Sequence, residues 1–368
     1  METLDDRRLG RATLARQLLL ARAQLDVAKA VRQVLALQAQ WPRPPFVALW
    51  SRLQGFAREQ LADPLRARKL VRATTFRGTL HVVTAADYLA LRTTLQPALA
   101  KGLHQVLRAK KAELDIPALV KRAKKFFGSG AKTFEAVRDH LAADNPDADD
   151  RAMGYAVRNM LPLVQVPTDD AWAFPQVSEF ADAEAWLGRA VDAKEHQAEL
   201  VLRYLAALGP ATAADVQAFT GLASLTKVIA ALGDRVVTFA DARGKTLFDL
   251  PDAPRPRADT PAPVRYLPEF DCAIVARTDG RILAEEHREH VFLSGLRVLP
   301  TVLVDGRAIA TWKITRTKTK ATLAVDAFAP LAKRDQTAVA EEGEALLRFA
   351  EPDAKGHDVQ VTAAARRG

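Results

Sequence analysis

One cysteine in 368 residues, Cys272, leaves no internal disulfide framework and no multi-cysteine zinc site. The first ten residues are charged and lack the apolar stretch of a secretory leader. No uninterrupted apolar run approaches the roughly 20 residues of a membrane span. There is no glycine-rich phosphate loop, no Gly-x-Ser-x-Gly elbow and no metal-ligand spacing among the seven histidines. The expectation is a cytoplasmic chain with no cofactor, no metal and no membrane partner.

What is present is apolar content and positive charge. At 49% hydrophobic residues, the chain can fill the cores of two to four small modules. Lys and Arg total 53 against 44 acids, a net charge of +9 and a pI near 9.7. That balance suits a polyanionic partner, most often nucleic acid, although many basic proteins bind none.

Apolar periodicity predicts helices over 11–22 and 26–40, a short helix after the Trp41 to Pro45 break, and another around 58–68. Strands follow at 70–75 and 79–83, hinged near Arg77-Gly78, and Thr84 to Asp87 reads as a capping start for the next helix. Helices closed by a two-stranded hairpin is the winged-helix order. It recurs with helices at 117–127, 133–142 and 149–160 before strands at 163–167 and 171–174. It recurs again with helices at 195–208, 212–219 and 223–232 before strands at 235–240 and 245–249. Five prolines between 251 and 263 mark a linker or strap. Beyond it, strands are expected at 271–277, 300–305, 308–316 and 320–326, then a helix over 336–350 and a frayed end of about fifteen residues. The fold class expected is α+β, mainly helical: three tandem winged-helix units at 1–112, 113–185 and 186–255, then a β-rich element over 256–368.

Leu37-Gln-Ala-Gln-Trp-Pro42 is the most unusual stretch. Gln38 falls on the apolar stripe of Val27, Val31, Val34 and Leu35, where an amide needs partners or a ligand. In a helix Gln38 and Gln40 would diverge; in extended chain they project to one side. Gln neither gives up nor takes a proton near neutral pH. It does donate and accept hydrogen bonds from one planar group, so a pair can orient a water. The competing reading is a cap or a buried amide network holding the proline-rich turn.

Other stretches carry the same ambiguity. On a strand, Arg77, Thr79 and His81 would share one face, either as a functional surface or as a solvated wing with a satisfied histidine. Arg316, Lys318 and Lys320 alternate with threonines in a hairpin that is either a probe for phosphates or an edge charged against aggregation. The basic runs Lys121 to Lys125 and Arg108 to Lys111 are solvated helix faces or a DNA path. Glu269 and Asp271 are paired acids on a stretch read as the start of a strand.

Taken together, Leu-Gln-Ala-Gln, Ala48-Leu-Trp-Ser-Arg52, Phe76-Arg-Gly-Thr-Leu-His81, Leu267-Pro-Glu-Phe-Asp271 and Thr301 to Gly306 with Thr311-Trp312 resemble the AlkZ-type winged-helix DNA glycosylases and their YcaQ-type relatives. The blocks run in the family's order from about 10 to 350. The resemblance implies three winged-helix units forming a cleft, and hydrolysis of the N-glycosidic bond of N7-alkylated purines, bulky adducts and interstrand cross-links included. It places the catalytic Gln-aliphatic-Gln motif on Gln38 and Gln40; the YcaQ branch tends to carry Asp at the second position, so Gln40 favours the AlkZ side. It also makes the Arg316, Lys318, Lys320 hairpin a DNA probe and gives Arg77, Thr79 and His81 motif membership, taken here as DNA contacts. The expected partner is duplex DNA with alkylated or cross-linked purines, bound by a monomer associated with the nucleoid. The rivals are a non-catalytic winged-helix regulator, which would bind a defined, usually symmetric site, and an enzyme acting on a nucleoside or RNA lesion.

Overall fold

The computed structural model describes residues 1–110, 113–143 and 148–363. Lys111 and the last five residues of the expected frayed end lie outside the described residues. The first helix, Asp6–Arg16, begins where the Asp5 carboxylate accepts the Arg8 amide at 2.7 Å. It ends before Leu18, whose φ of 58° breaks it, so the expected helix over 11–22 is displaced toward the N-terminus. Leu18 and Leu19 stay buried after the break.

The second correction decides the site. The helix expected over 26–40 runs only from Val27 to Gln33. Leu35 at φ 77° turns the chain out of helical geometry, and Leu37–Gln38 continue as a strand antiparallel to Leu80–Thr84. The stripe that read as helix persists through the turn because Leu35, Ala36 and Leu37 all reach apolar cores. Burial, not helical period, kept those positions hydrophobic.

One six-stranded sheet then links the first two helical blocks, in the order Leu37–Gln38, Leu80–Thr84, Leu70–Thr74, Leu163–Gln165, Glu179–Asp182, Lys132–Thr133. Glu179–Asp182 replaces the strand expected at 171–174; there the chain turns at Ala173, with φ 62°, and sends Phe174 into the core. The third block closes with Val237–Asp241 and Thr246–Asp249, and Thr3–Leu4 pairs parallel with the first of these. The C-terminal sheet runs Arg265–Leu267, Thr301–Val304, Arg307–Arg316, Lys320–Ala327, Gly356–Ala363 and carries the helix Lys333–Ala350. The end is therefore not frayed through 363: Gly356–Ala363 pairs parallel with Lys320–Ala327 along its length. Nor is 271–277 a strand. Asp271 accepts the Ala273 amide at 3.0 Å and caps a short helix, Cys272–Val275.

Buried arginines tie the blocks together. Arg16 grips both carboxylate oxygens of Asp249 at 2.7 and 2.8 Å, joining the first helix to the third hairpin. Arg52 does the same to Asp271 at 2.9 and 2.8 Å, with both side chains 1% exposed, and donates to Gln17 Oε1 at 3.3 Å. Two-pronged geometry satisfies the lone pairs that burial would otherwise strand. Removing one partner leaves an uncompensated buried charge, a loss of about 3–5 kcal/mol. Asp271→Ala should therefore lower the denaturant midpoint sharply, by that amount in unfolding free energy. A loss below about 1 kcal/mol, the level of an exposed pair, would show that this tie does not hold the C-terminal element.

Candidate active site

Leu37 lies opposite Val82 and Gln38 opposite His81, so each pair shares a face of the sheet. Leu37, Ala39 and Val82 enter the core of the first block, which turns Gln38 to the opposite side. The Ala39 amide donates to Leu80 O at 2.7 Å and extends the pairing past the strand's end. Arg72, one strand further in, donates from Nε to Ala39 O at 2.9 Å and from Nη2 to Gln40 O at 3.2 Å. Its guanidinium lies 5.0 Å from the Phe174 ring, and burial lowers its pKa to about 10. This clamp on two consecutive carbonyls holds the chain as it leaves the strand and bends at Gln40.

Gln38 is 7% exposed, and its Oε1 accepts from Arg77 Nη2 at 2.6 Å. Arg77 is not on a strand. It sits in a tight turn at φ 55° beside Gly78 at φ 69°, with its guanidinium 4.6 Å from the Phe219 ring. Burial lowers its pKa, and its Nη1 is buried without a hydrogen-bond partner. A Cβ at Gly78 would stand 3.2 Å from Tyr155 Oη and 3.3 Å from Asn159 Oδ1, so the turn is both left-handed and crowded. Gln40 is partly exposed, yet its Oε1 is buried and unpaired. Trp41 beside it is 59% exposed.

The expected common face of Arg77, Thr79 and His81 is absent. The Thr79 hydroxyl donates back to Phe76 O at 3.1 Å, within the turn. His81 has no exposed surface; its Nδ1 lies 3.1 Å from Thr79 O and its ring stands edge-on to Phe76. Since a carbonyl only accepts, Nδ1 carries the proton and the buried, unpaired Nε2 is the acceptor. His81 thus stands beside Gln38 on that face as a buried, packed side chain.

Arg316, Lys318 and Lys320 wrap the tip of the Arg307–Arg316, Lys320–Ala327 hairpin instead of lining one strand face. Lys320 pairs with Asp358 at 3.0 Å and Arg316 lies 4.0 Å from Glu351; Lys318 is exposed. Lys121, Lys124 and Lys125 are exposed on the helix Ile116–Phe127, while Arg122 donates to His140 O at 3.0 Å. The two acids of Leu267 to Asp271 part company. Asp271 is consumed by Arg52, whereas Glu269 lines a groove of about 660 Å³ with Trp41, Arg43, Arg297, Trp312 and Lys313. Burial raises the Glu269 pKa, against the opposing pull of Arg43 and Arg297.

Arg72 and Arg52 were missed as site-builders by sequence reasoning. Their one visible signal is a lone charge inside a mostly apolar run, at Leu70–Thr74 and at Ala48 to Leu53. Among the described residues, no group of His, Cys, Asp and Glu could hold a metal ion. Two amides, one oriented by a cation, are equipped to direct hydrogen bonds and not to exchange protons.

Burial, and secondarily Arg77, depresses the His81 pKa from 6.5 to about 3. The unfolded chain then takes up a proton below pH 6.5 that the folded chain refuses down to about pH 3. The stability His81 protects is thus present above 6.5 and lost as pH falls through that window. Between pH 7 and pH 5 its share of the loss is about 2 kcal/mol. Urea unfolding of His81→Asn should lack this part of the acid destabilisation; an identical pH dependence in the two proteins would refute a neutral, buried His81.

The family model described as DNA glycosylase AlkZ-like matches residues 31–349. No curated protein matches the chain. Among solved structures, the DNA glycosylase AlkZ of Streptomyces sahachiroi superposes with a TM-score of 0.78 at 19% identity, covering 98% of this chain and 100% of that one. The mixed α/β fold is thus that of the solved structure, and the sequence match runs across the Gln38 strand, the Arg77 turn and the C-terminal sheet. The chain belongs to the AlkZ-like family of DNA glycosylases.

Proposed function

We propose that the enzyme hydrolyses the N-glycosidic bond of N7-alkylated purines in duplex DNA, bulky adducts and interstrand cross-links included. Gln38 and Gln40 would position the attacking water. Alkylation at N7 makes guanine cationic, so the base leaves with the bonding electrons as a neutral molecule and requires no general acid. Water then adds to the anomeric carbon, where positive charge develops, and its proton passes to solvent. What remains for the protein is orientation, which is a legitimate source of rate. The observation that carries this reading is the pair of amides two residues apart, Gln38 on a strand and Gln40 at the bend that follows it. The Gln38 amide is fixed by Arg77, while Gln40 Oε1 is buried and unpaired.

The same proposal takes the three helical blocks, 1–112, 113–185 and 186–255, as winged-helix units around a cleft, with 256–368 as the β-rich element. The tip with Arg316, Lys318 and Lys320 grips phosphates, and Lys121, Lys124 and Lys125 add affinity without sequence reading. A monomer acting on the nucleoid suffices for this chemistry. No helix of the described residues is long and apolar enough to cross a membrane.

The test is single-turnover release of N7-methylguanine from duplex DNA, compared between wild type and the Gln38→Ala, Gln40→Ala double variant. The expected result is release above the spontaneous rate by the wild type and a drop of about 10²-fold or more in a variant that still binds the duplex. Undiminished release by the double variant would remove the glutamines from the site. Failure of the wild type on this lesion and on bulky N7 adducts would remove the lesion class.

A further inference from the structure

Arg77 is a buried cation, and among the described residues none of its hydrogen-bond or ion-pair partners is a carboxylate. It occupies a left-handed backbone position at φ 55°, which a branched or long side chain adopts only at a cost. One nitrogen of its fork meets Gln38 Oε1 at 2.6 Å, its face covers Phe219, and Nη1 is unpaired. If packing on Phe219 were its task, a Met of similar length would do it without desolvating a charge.

We infer that Arg77 is a positioning residue that decides which end of the Gln38 amide faces the substrate. This rests on the reading of Gln38 and Gln40 as the water-holding pair. A guanidinium has only donors, so the atom it bonds must be the amide oxygen. That bond takes one lone pair of the Gln38 carbonyl and fixes the plane of the amide, so Nε2, for which no protein partner is seen among the described residues, is held turned away from Arg77 as a free donor. Gln38 acts as a donor. The acceptor for the water's proton is then Gln40, whose Oε1 is buried and without a partner. Without Arg77, the Gln38 amide could flip and present oxygen as readily as nitrogen, leaving two acceptors to hold one water. The two glutamines are alike in sequence and unlike in function, and the asymmetry comes from Arg77.

The experiment measures single-turnover release of N7-methylguanine, duplex affinity and thermal midpoint for Arg77→Met, Arg77→Lys, Gln38→Ala, Gln38→Glu and the double variant Arg77→Met, Gln38→Ala. Arg77→Met should lose about 10²-fold in rate, as expected for a misdirected reactant, with duplex affinity unchanged. Arg77→Lys keeps a cationic donor without the planar fork and should recover part of the rate. Gln38→Glu keeps a partner for Arg77 but has no N–H, and should be as slow as Gln38→Ala. In the Gln38→Ala background, Arg77→Met should cost nothing more.

Wild-type rates for Arg77→Met, or a full further loss in the Gln38→Ala background, would overturn the inference. So would an active Gln38→Glu. Should Arg77→Met fail to fold, the Gln38→Glu rate decides alone. An active Gln38→Ala would mean that the glutamine reading itself has failed. An inactive Gln38→Ala beside a fully active Arg77→Met would mean that only the role of Arg77 has.

Discussion

The site depends on the grip of Arg72 on the carbonyls of Ala39 and Gln40. Residues 36–40 follow a helix and precede a proline-rich turn, and their first strand is two residues long, too short to hold itself. Pairing with Leu80–Thr84 fixes Leu37, Gln38 and the Ala39 amide; for the carbonyls of Ala39 and Gln40, the guanidinium of Arg72 takes the place of the missing ladder. An arginine can do this from within a core because its fork supplies several donors in fixed directions. Leu37 and Ala39 then point into one core, and the alternation of a strand places Gln38 on the other side.

A second level of support lies in ties between distant parts of the chain. Arg52 and Asp271 bring the Leu267 to Asp271 segment under the first block, and the thiol of Cys272 donates to Ala36 O at 3.3 Å, one residue from the Gln38 strand. Arg16 and Asp249 fasten the third hairpin to the first helix. The electrostatics of the site differ from those of an acid–base enzyme. His81 is held neutral with a pKa near 3, Cys272 is pushed up to about 11, and Asp271 is committed to Arg52. Around the glutamines, hydrogen-bonding groups are held in direction by buried cations: Arg77 on the Gln38 amide and Arg72 on the carbonyls of Ala39 and Gln40.

Much of this was legible in the sequence. The helices of the second and third blocks and the hairpins at 70–84 and 237–249 fall within a few residues of where periodicity and turn residues put them. The glutamines were recognisable because an amide interrupts an apolar stripe. What was illegible has particular causes. Leu35 carries no mark of its positive φ, so an apolar run that changes from helix to strand reads as helix throughout. Asp271 reads as an acid for chemistry until Arg52, 219 positions earlier, is found against it. The hinge near Arg77-Gly78 falls where the hairpin reading puts it; reading Arg77, Thr79 and His81 as one strand face ignores that hinge, which takes Arg77 off the strand. The parallel pairing of Gly356–Ala363 is a long-range choice that its polar, alternating sequence does not demand.

The central claim is that two neutral amides, and no titrating group, direct the water. The most direct measurement is the single-turnover rate of N7-methylguanine release between pH 5.5 and 7, where the lesion stays cationic and His81 is already neutral. The account predicts a flat profile. A rate that rises or falls about tenfold per pH unit in that range would place a general acid or base in the mechanism and contradict it.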